Sequence, residues 1–162
     1  MIKIRTLQKN DEKQLFDLAI HFFKDNQKGE IVSKRLLRLI KYKNYDKHLE
    51  EDVKKYMKIN KEEAMIFVAV DNGKLIGYIY GRIVKKPKML LDKFGIIEDW
   101  FVEEKYRNKR IGELLWNKLI LWFKNKKCNC LELDVYTTNE RAIRIYHKMG
   151  FIDKSIVMIK KL

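Results

Sequence analysis

The sequence predicts an α+β fold in which helices flank one mixed, mostly antiparallel central sheet. Three observations predict it. The apolar run MIFVAV at residues 65–70 leads through Asp71-Asn72-Gly73, a strong hairpin signal, into a returning strand, KLIGYIYGRIV. IIEDWFV at residues 96–102 reads as a strand that passes through a short charged turn into a helix over residues 111–125, whose Ile111, Leu114, Leu115, Leu119, Trp122 and Phe123 recur at helical spacing. LELDVY at residues 131–136 alternates with Leu131, Leu133 and Val135 facing inward, and a further helix and a last strand, SIVMIKKL, follow it. Antiparallel strands early and a β-α-β-α-β series late fit one mixed sheet.

The remaining elements are placed by caps and periodicity. The opening MIKIRTL sets Ile2 and Ile4 on one side of a short strand, and Asn10 is expected to cap a helix with Asp11 and Glu12 in its first turn. Leu15, Phe16, Ala19, Phe22 and Phe23 form that helix's apolar stripe. A second helical region follows Gly29, with Leu36, Leu37 and Ile40 clustered, and the polar stretch over residues 41–63, which mixes Tyr42, Tyr45 and Tyr56 with charge, carries no readable element. The helix after residue 136 is expected to open on a capping box of Thr137 and Glu140 and to close at Gly150. No repeat or low-complexity tract interrupts the series, and Pro87 falls in the loop before IIEDWFV.

Composition narrows the function classes. A chain of 162 residues, 46% of them hydrophobic, is expected to form one domain over residues 1–162. No window approaches the roughly 18 apolar residues a membrane span needs, and the start lacks a secretory apolar stretch, so a soluble, cytoplasmic protein is expected. Cys128 and Cys130 lie two apart at a strand start and are poorly placed to bridge each other, and with three scattered histidines they offer no ligand cluster; no metal is expected. The net charge of +14 is compatible with nucleic acid, a membrane surface or a polyanionic ligand, but the lysine-rich excess is spread along the chain and forms no basic arm.

The segment Arg107-Asn108-Lys109-Arg110-Ile111-Gly112 sits where a strand has ended and a helix begins. Unpaired N–H groups at the positive end of a helix dipole make a pyrophosphate cradle there, and a basic solvated turn explains the segment equally well.

The string FVEEKYRNKRIGELLWNKL, together with TTNERAIRIYHKMGF some thirty positions later, resembles the GNAT superfamily of N-acetyltransferases. The first string matches the pattern Arg/Gln-x-x-Gly-x-Gly/Ala and the second an Asn-x-x-Ala…Tyr-x-x-x-Gly-Phe block. This resemblance, clear over residues 96–152, implies an acetyl-coenzyme A co-substrate lying against the strand, with its pantetheine arm paired to backbone at Trp100, Phe101 and Val102. It implies that Arg107, Asn108, Lys109, Arg110, Ile111, Gly112 and Glu113 hold the pyrophosphate, that Asn139 bonds the pantetheine arm, that Ala142 supplies a small contact surface and that Tyr146 reaches the sulfur. The fourth position of the pattern, usually Gly, is here Arg110, whose side chain stands where close backbone approach is normal. Its guanidinium could pair with a phosphate instead.

Acetyl transfer needs a neutral amine, so some group must accept a proton. Alternation places Glu98 on the face of Trp100 and Val102, toward the thioester, and Asp99 on the opposite face in a structural role. From spacing alone Glu98 reads better as an ordinary exposed carboxylate. The run IEDWFV, however, resembles the matching strand of polyamine and diamine acetyltransferases, which implies Glu98 as the base. Tyr146 lies at helical spacing with Ala142, Ile145 and Met149, as a core aromatic would. The resemblance implies instead a hydroxyl that protonates the leaving thiolate, with the N–H near Val102 at the oxyanion, in a direct attack within a ternary complex.

The acceptor is expected to be a small-molecule amine such as a polyamine or diamine, with an amino sugar, an aminoglycoside or a protein amino group also open. Glu98, Asp99 or the trio Glu50, Glu51 and Asp52 could form an acidic funnel for such a cation. The alternatives are a basic nucleic-acid binder, for which no motif is present, and a non-catalytic coenzyme A module. No nucleic acid or membrane partner is expected, and the resemblance makes a homodimer possible.

Overall fold

The computed structural model describes residues 1–26, 32–41 and 43–162, so Gly29 and Tyr42 lie outside the described residues. These group into two compact units, residues 1–22 with 46–134 and residues 23–45 with 135–162. Each is described by itself.

The first unit is built on a five-stranded sheet in the order β1-β2-β3-β4-β5, formed by β1 (Lys3–Thr6), β2 (Ala64–Asp71), β3 (Lys74–Lys85), β4 (Lys93–Val102) and β5 (Cys130–Leu133). The first four strands form an antiparallel meander, and β5 runs parallel to β4. The expected mixed, mostly antiparallel sheet is what forms. Asp71 pairs with Lys74, so the β2–β3 hairpin turns on Asn72 and Gly73 alone, both at positive φ. That two-residue primed turn matches the twist of the strands it joins.

Helix α4 (Ile111–Asn125) covers one face of the sheet, burying Ile111, Leu115, Leu119, Trp122 and Phe123. Leu114, expected inward, is 47% exposed, because the buried stripe is one residue narrower than the apolar pattern. The sheet makes room for this helix with glycines: a Cβ on Gly81 or Gly95 would stand 2.6 or 2.8 Å from the Phe123 ring.

The opposite face is lined by α1 (Glu12–Asn26) and α3 (Tyr45–Tyr56). α1 buries Leu15, Leu18 and Ala19, and its Phe22 packs on Tyr78 and Phe101. Gln14 ties α1 to the hairpin, accepting from the Leu75 N–H and donating to the Gly73 carbonyl. Asn10 does not cap α1: it lies in a one-turn 3₁₀ helix (Lys9–Asp11) that precedes it, where Asp11 accepts from the Gln8 N–H and pairs with Arg5. The stretch over residues 41–63 had no readable element because α3 buries only Leu49 and Val53 on an otherwise charged helix.

In the second unit, α2 (Lys34–Ile40) is capped by the Ser33 hydroxyl, which accepts from the Leu36 N–H, and Phe23 stacks on Tyr45. α5 (Glu140–Lys148) is capped by Asn139, whose side-chain oxygen accepts from the Ala142 N–H at 3.2 Å. The expected Thr137–Glu140 box is therefore displaced by the better-placed amide. Gly150 closes α5 at φ 89°, with the Phe151 N–H reaching back to the Tyr146 carbonyl. SIVMIKKL, expected as a last strand, is not one: residues 151–162 carry no regular secondary structure, and Ile156, Val157 and Met158 are exposed.

Candidate active site

β4 outruns its parallel neighbour. β5 pairs only from Phe94↔Cys130 to Ile97↔Leu133, whereas β4 continues to Val102. Beyond Ile97, no described strand pairs with that edge of β4. Open strand edges seek partners, and an extended chain with amide groups is the natural one.

β4 then turns through a 3₁₀ helix (Glu104–Tyr106) into the first turn of α4. Arg107 folds back here: its Nε donates to the Val102 carbonyl at 2.9 Å and its guanidinium lies over the Phe101 ring. Arg107 therefore shapes the turn as well as charging it. Asn108 and Arg110 both take left-handed backbone, φ 62° and 58°, and Arg110 occupies the N-cap of α4 without a side-chain cap bond. The first-turn N–H groups of Ile111, Gly112 and Glu113 are left for an outside acceptor, as at any uncapped helix start. Gly112 lies against the Trp100 indole, at 3.5 Å from where its Cβ would stand, and Trp100 stacks on Trp116 of α4. Lys109 sits over the Tyr106 ring. A strand edge in need of amide partners thus runs toward a helix start in need of an anion, and the residues present fit a pantetheine diphosphate.

The carboxylates before this edge break the expected alternation. Tyr80 pairs with Asp99 and Gly81 with Ile97, so β4 carries a bulge that leaves Glu98 without a cross-strand partner. Paired residues share a face, and Gly81 faces α4, so Tyr80 and Asp99 face away from it. Glu98 also points away, bonded to the Arg82 guanidinium, while Trp100 lies on the α4 side. Glu98 is therefore on the face of Asp99 and not, as alternation predicts, on that of Trp100. It borders a cavity of about 210 Å³ lined also by Arg82, Ile96, Glu132 and Asp134.

Asp99 accepts from the Tyr56 hydroxyl at 2.8 Å and from the Tyr78 hydroxyl at 3.4 Å. Burial, assisted by the negative charges of Glu98 and Asp52, pushes its carboxyl up to about 6 in spite of these two donors. The Tyr56 hydroxyl is itself driven well above its ordinary value by burial and by Asp99. Sequence reasoning missed Tyr56, Tyr78, Tyr80 and Trp116. Tyr78 and Tyr80 carried a signal, two aromatics at strand spacing beside Gly81, but Tyr56 lay in the unreadable stretch.

Asn139, Ala142 and Tyr146 stand together on α5 in the second unit. Ala142 and Tyr146 are half-buried on one side of the helix, Tyr146 meets the Phe151 ring edge-on, and burial raises its hydroxyl above the ordinary value. Cys128 and Cys130 are free thiols, and burial raises that of Cys128, which makes it a poorer nucleophile.

Residues 33–151 match the model of the acetyltransferase (GNAT) family, and the chain belongs to that family. It is 28% identical over 131 residues to an uncharacterized N-acetyltransferase of Methanocaldococcus jannaschii, covering 75% of this chain and 58% of that protein. It is 32% identical over 93 residues to N-alpha-acetyltransferase 30 of Dictyostelium discoideum, covering 57% of this chain and 49% of the relative. The chain thus spans roughly half of the length of these curated relatives. Its fold also matches that of AAC(6')-Iy in complex with the bisubstrate analogue CoA-S-monomethyl-acetylneamine, at a TM-score of 0.70 and 16% identity over 100% of this chain and 98% of the other.

Proposed function

We propose that the protein transfers an acetyl group from acetyl-coenzyme A to a primary amine by direct attack within a ternary complex. The observation that carries this reading is the open edge of β4 beyond Ile97 running into the uncapped start of α4. Trp100, Phe101 and Val102 hold the pantetheine arm by backbone pairing. The turn from Arg107 to Glu113 holds the diphosphate through its amides, with Lys109 and Arg110 adding positive charge. Bound acetyl-coenzyme A supplies an activated thioester carbonyl. The Val102 N–H stabilises the charge that develops on the carbonyl oxygen. The family resemblance assigns Asn139 and Ala142 to the arm and Tyr146 to the departing thiolate as proton donor, a role suited to a hydroxyl that burial keeps protonated. Glu98, paired with Arg82 at the cavity beside the bulge, receives the acceptor amine, and the β4 carboxylates Glu98 and Asp99 are the two candidates for its proton.

The acceptor is a primary amine, and the IEDWFV strand favours a diamine or polyamine. The relative named as an N-alpha-acetyltransferase favours a peptide α-amino group as the second reading. Release of coenzyme A from acetyl-coenzyme A is measured against diamines, polyamines, amino sugars, aminoglycosides and short peptides with free amino termini. Turnover with one class, reduced at least tenfold in Tyr146→Phe, is expected. Absence of turnover with every amine, together with no calorimetric binding of acetyl-coenzyme A, overturns the reading.

A further inference from the structure

We infer that Asp99, through its bond to the Tyr56 hydroxyl, is the group that takes the proton from the acceptor amine, with Glu98 acting only to receive the cation. The inference rests on the acetyl-transfer reading above and deepens it.

Three features of the structure single out Asp99. The bulge at residues 98–99 turns both carboxylates to the face away from α4, so strand alternation favours neither. They differ in what holds them. Glu98 is engaged by the Arg82 guanidinium, whereas the hydrogen bonds to Asp99 come from the neutral hydroxyls of Tyr56 and Tyr78. A carboxylate already held by a cation has little left to offer an ammonium proton, and one held by hydroxyls keeps its basicity.

The surroundings of Asp99 strengthen the same distinction. Tyr56 and Asp52 face it from α3, Tyr78 and Tyr80 from β3, and Glu98 with its Arg82 partner from the same side of the sheet. Tyr56 and Tyr80 also pack ring to ring, with centroids 4.7 Å apart, and enclose the carboxyl in aromatic surface. Burial and two neighbouring carboxylates thus hold the Asp99 carboxyl near neutrality, about 6, where a base is both ionised at working pH and strong enough to compete for a proton. Asp52 and Glu98 add negative charge beside Asp99, which favours a cationic amine there on a chain of net charge +14.

The step balances without any further reactant. The ammonium N–H bond breaks as an O–H bond forms on Asp99, the freed lone pair attacks the thioester carbon, the C–S bond breaks, the thiolate takes the Tyr146 proton, and the second proton that nitrogen sheds as the amide forms restores Tyr146. Asp99 then returns its proton to solvent. Tyr56 holds the carboxylate through its hydroxyl and is a positioning residue.

The test is the pH dependence of kcat/KM for coenzyme A release, measured from about pH 5 to 9 on wild type, Asp99→Asn and Tyr56→Phe with the best acceptor amine, beside a ¹³C carboxyl titration of the unliganded protein. Wild type is expected to lose rate on an acidic limb that matches the titration of Asp99. Asp99→Asn is expected to lose the limb and about a hundredfold or more in rate. Tyr56→Phe removes a donor that favours the ionised carboxylate, so its limb and its carboxyl titration should move together to higher pH, a shift that a merely structural tyrosine would not produce. A limb that persists in Asp99→Asn overturns the inference, as does a Tyr56→Phe limb that stays in place while the titration moves. Should Asp99→Asn not fold, the Tyr56→Phe comparison decides alone. An acetyl-coenzyme A that binds and is turned over, with a limb indifferent to Asp99, refutes only this assignment; no binding and no turnover removes the acetyl-transfer reading and this one with it.

Discussion

Arg110 stands where the family pattern carries glycine, and it takes the glycine conformation, φ 58° and ψ 11°, at the N-cap of α4. A residue with a Cβ costs roughly 1–2 kcal/mol in the left-handed region. Replacing it with glycine removes that strain, but glycine's greater freedom in the unfolded chain takes back roughly 0.5–1 kcal/mol. Arg110→Gly should therefore gain a little under about 1 kcal/mol, which for a chain of this size raises Tm by about 2 °C. The guanidinium contributes in the opposite sense to binding. An exposed cation beside a diphosphate contributes up to about 1 kcal/mol, so its loss should weaken acetyl-coenzyme A binding by as much as about fivefold. Arg110→Ala separates the two effects, since it keeps the strain and loses the charge: affinity should fall as in the glycine variant, with no rise in Tm. Thermal melts and calorimetry at two salt concentrations read both quantities. Tighter binding by Arg110→Gly than by wild type would show that the arginine obstructs the cradle, and equal melting temperatures for the glycine and alanine variants would refute the strain.

Asp11 is a second sensitive point: burial alone would raise its carboxyl, but hydrogen bonds from Arg5 and the Gln8 N–H hold it below the ordinary carboxylate range. A group whose folded value is depressed contributes stability above the unfolded value, about 4, and loses it as pH falls through the folded value. Asp11→Ala should cost about 2 kcal/mol at neutral pH and progressively less below pH 4, read by urea denaturation at both conditions. Gly95→Ala forces a Cβ to within 2.8 Å of the Phe123 ring and should destabilise by about 1–3 kcal/mol, an effect that Gly95→Ala with Phe123→Leu should partly relieve in the same denaturation assay. Asn139→Ala removes the cap of α5 and should cost about 1 kcal/mol, whereas Thr137→Ala should cost little if Asn139 is the cap.

Where local chemistry decides, the chain is legible. The Asn72-Gly73 turn needs positive φ at both positions and has the two residue types that supply it, and α4 begins and ends where its apolar repeat does because Ile111 and Phe123 bound the stripe that the sheet covers. Where two signals compete, geometry chooses between them. Thr137 with Glu140 and Asn139 with Ala142 are both plausible caps, and only the backbone path decides for Asn139. SIVMIKKL has the composition of a strand but no described neighbour, and β-propensity without a partner forms nothing. α3 was illegible for the reverse reason, as a charged helix tied to the sheet by Leu49, Val53 and one tyrosine hydroxyl.

The site shows why strand alternation fails where it matters most. A one-residue insertion in β4 lets Ile97 and Trp100 face the same helix although they are three apart, an odd spacing that an unbroken strand would send to opposite faces. The same insertion sets two successive acids on the other face, just where the pairing with the short β5 stops at Ile97↔Leu133. No periodicity in IIEDWFV encodes this, because the bulge is a property of the pairing with Tyr80 and Gly81 on β3. Gly81 is the residue that admits it: its missing Cβ lets Phe123 and Leu119 approach the sheet at the point where the register slips. A carboxylate's role in this chain is thus set on the neighbouring strand and not where its letter is read.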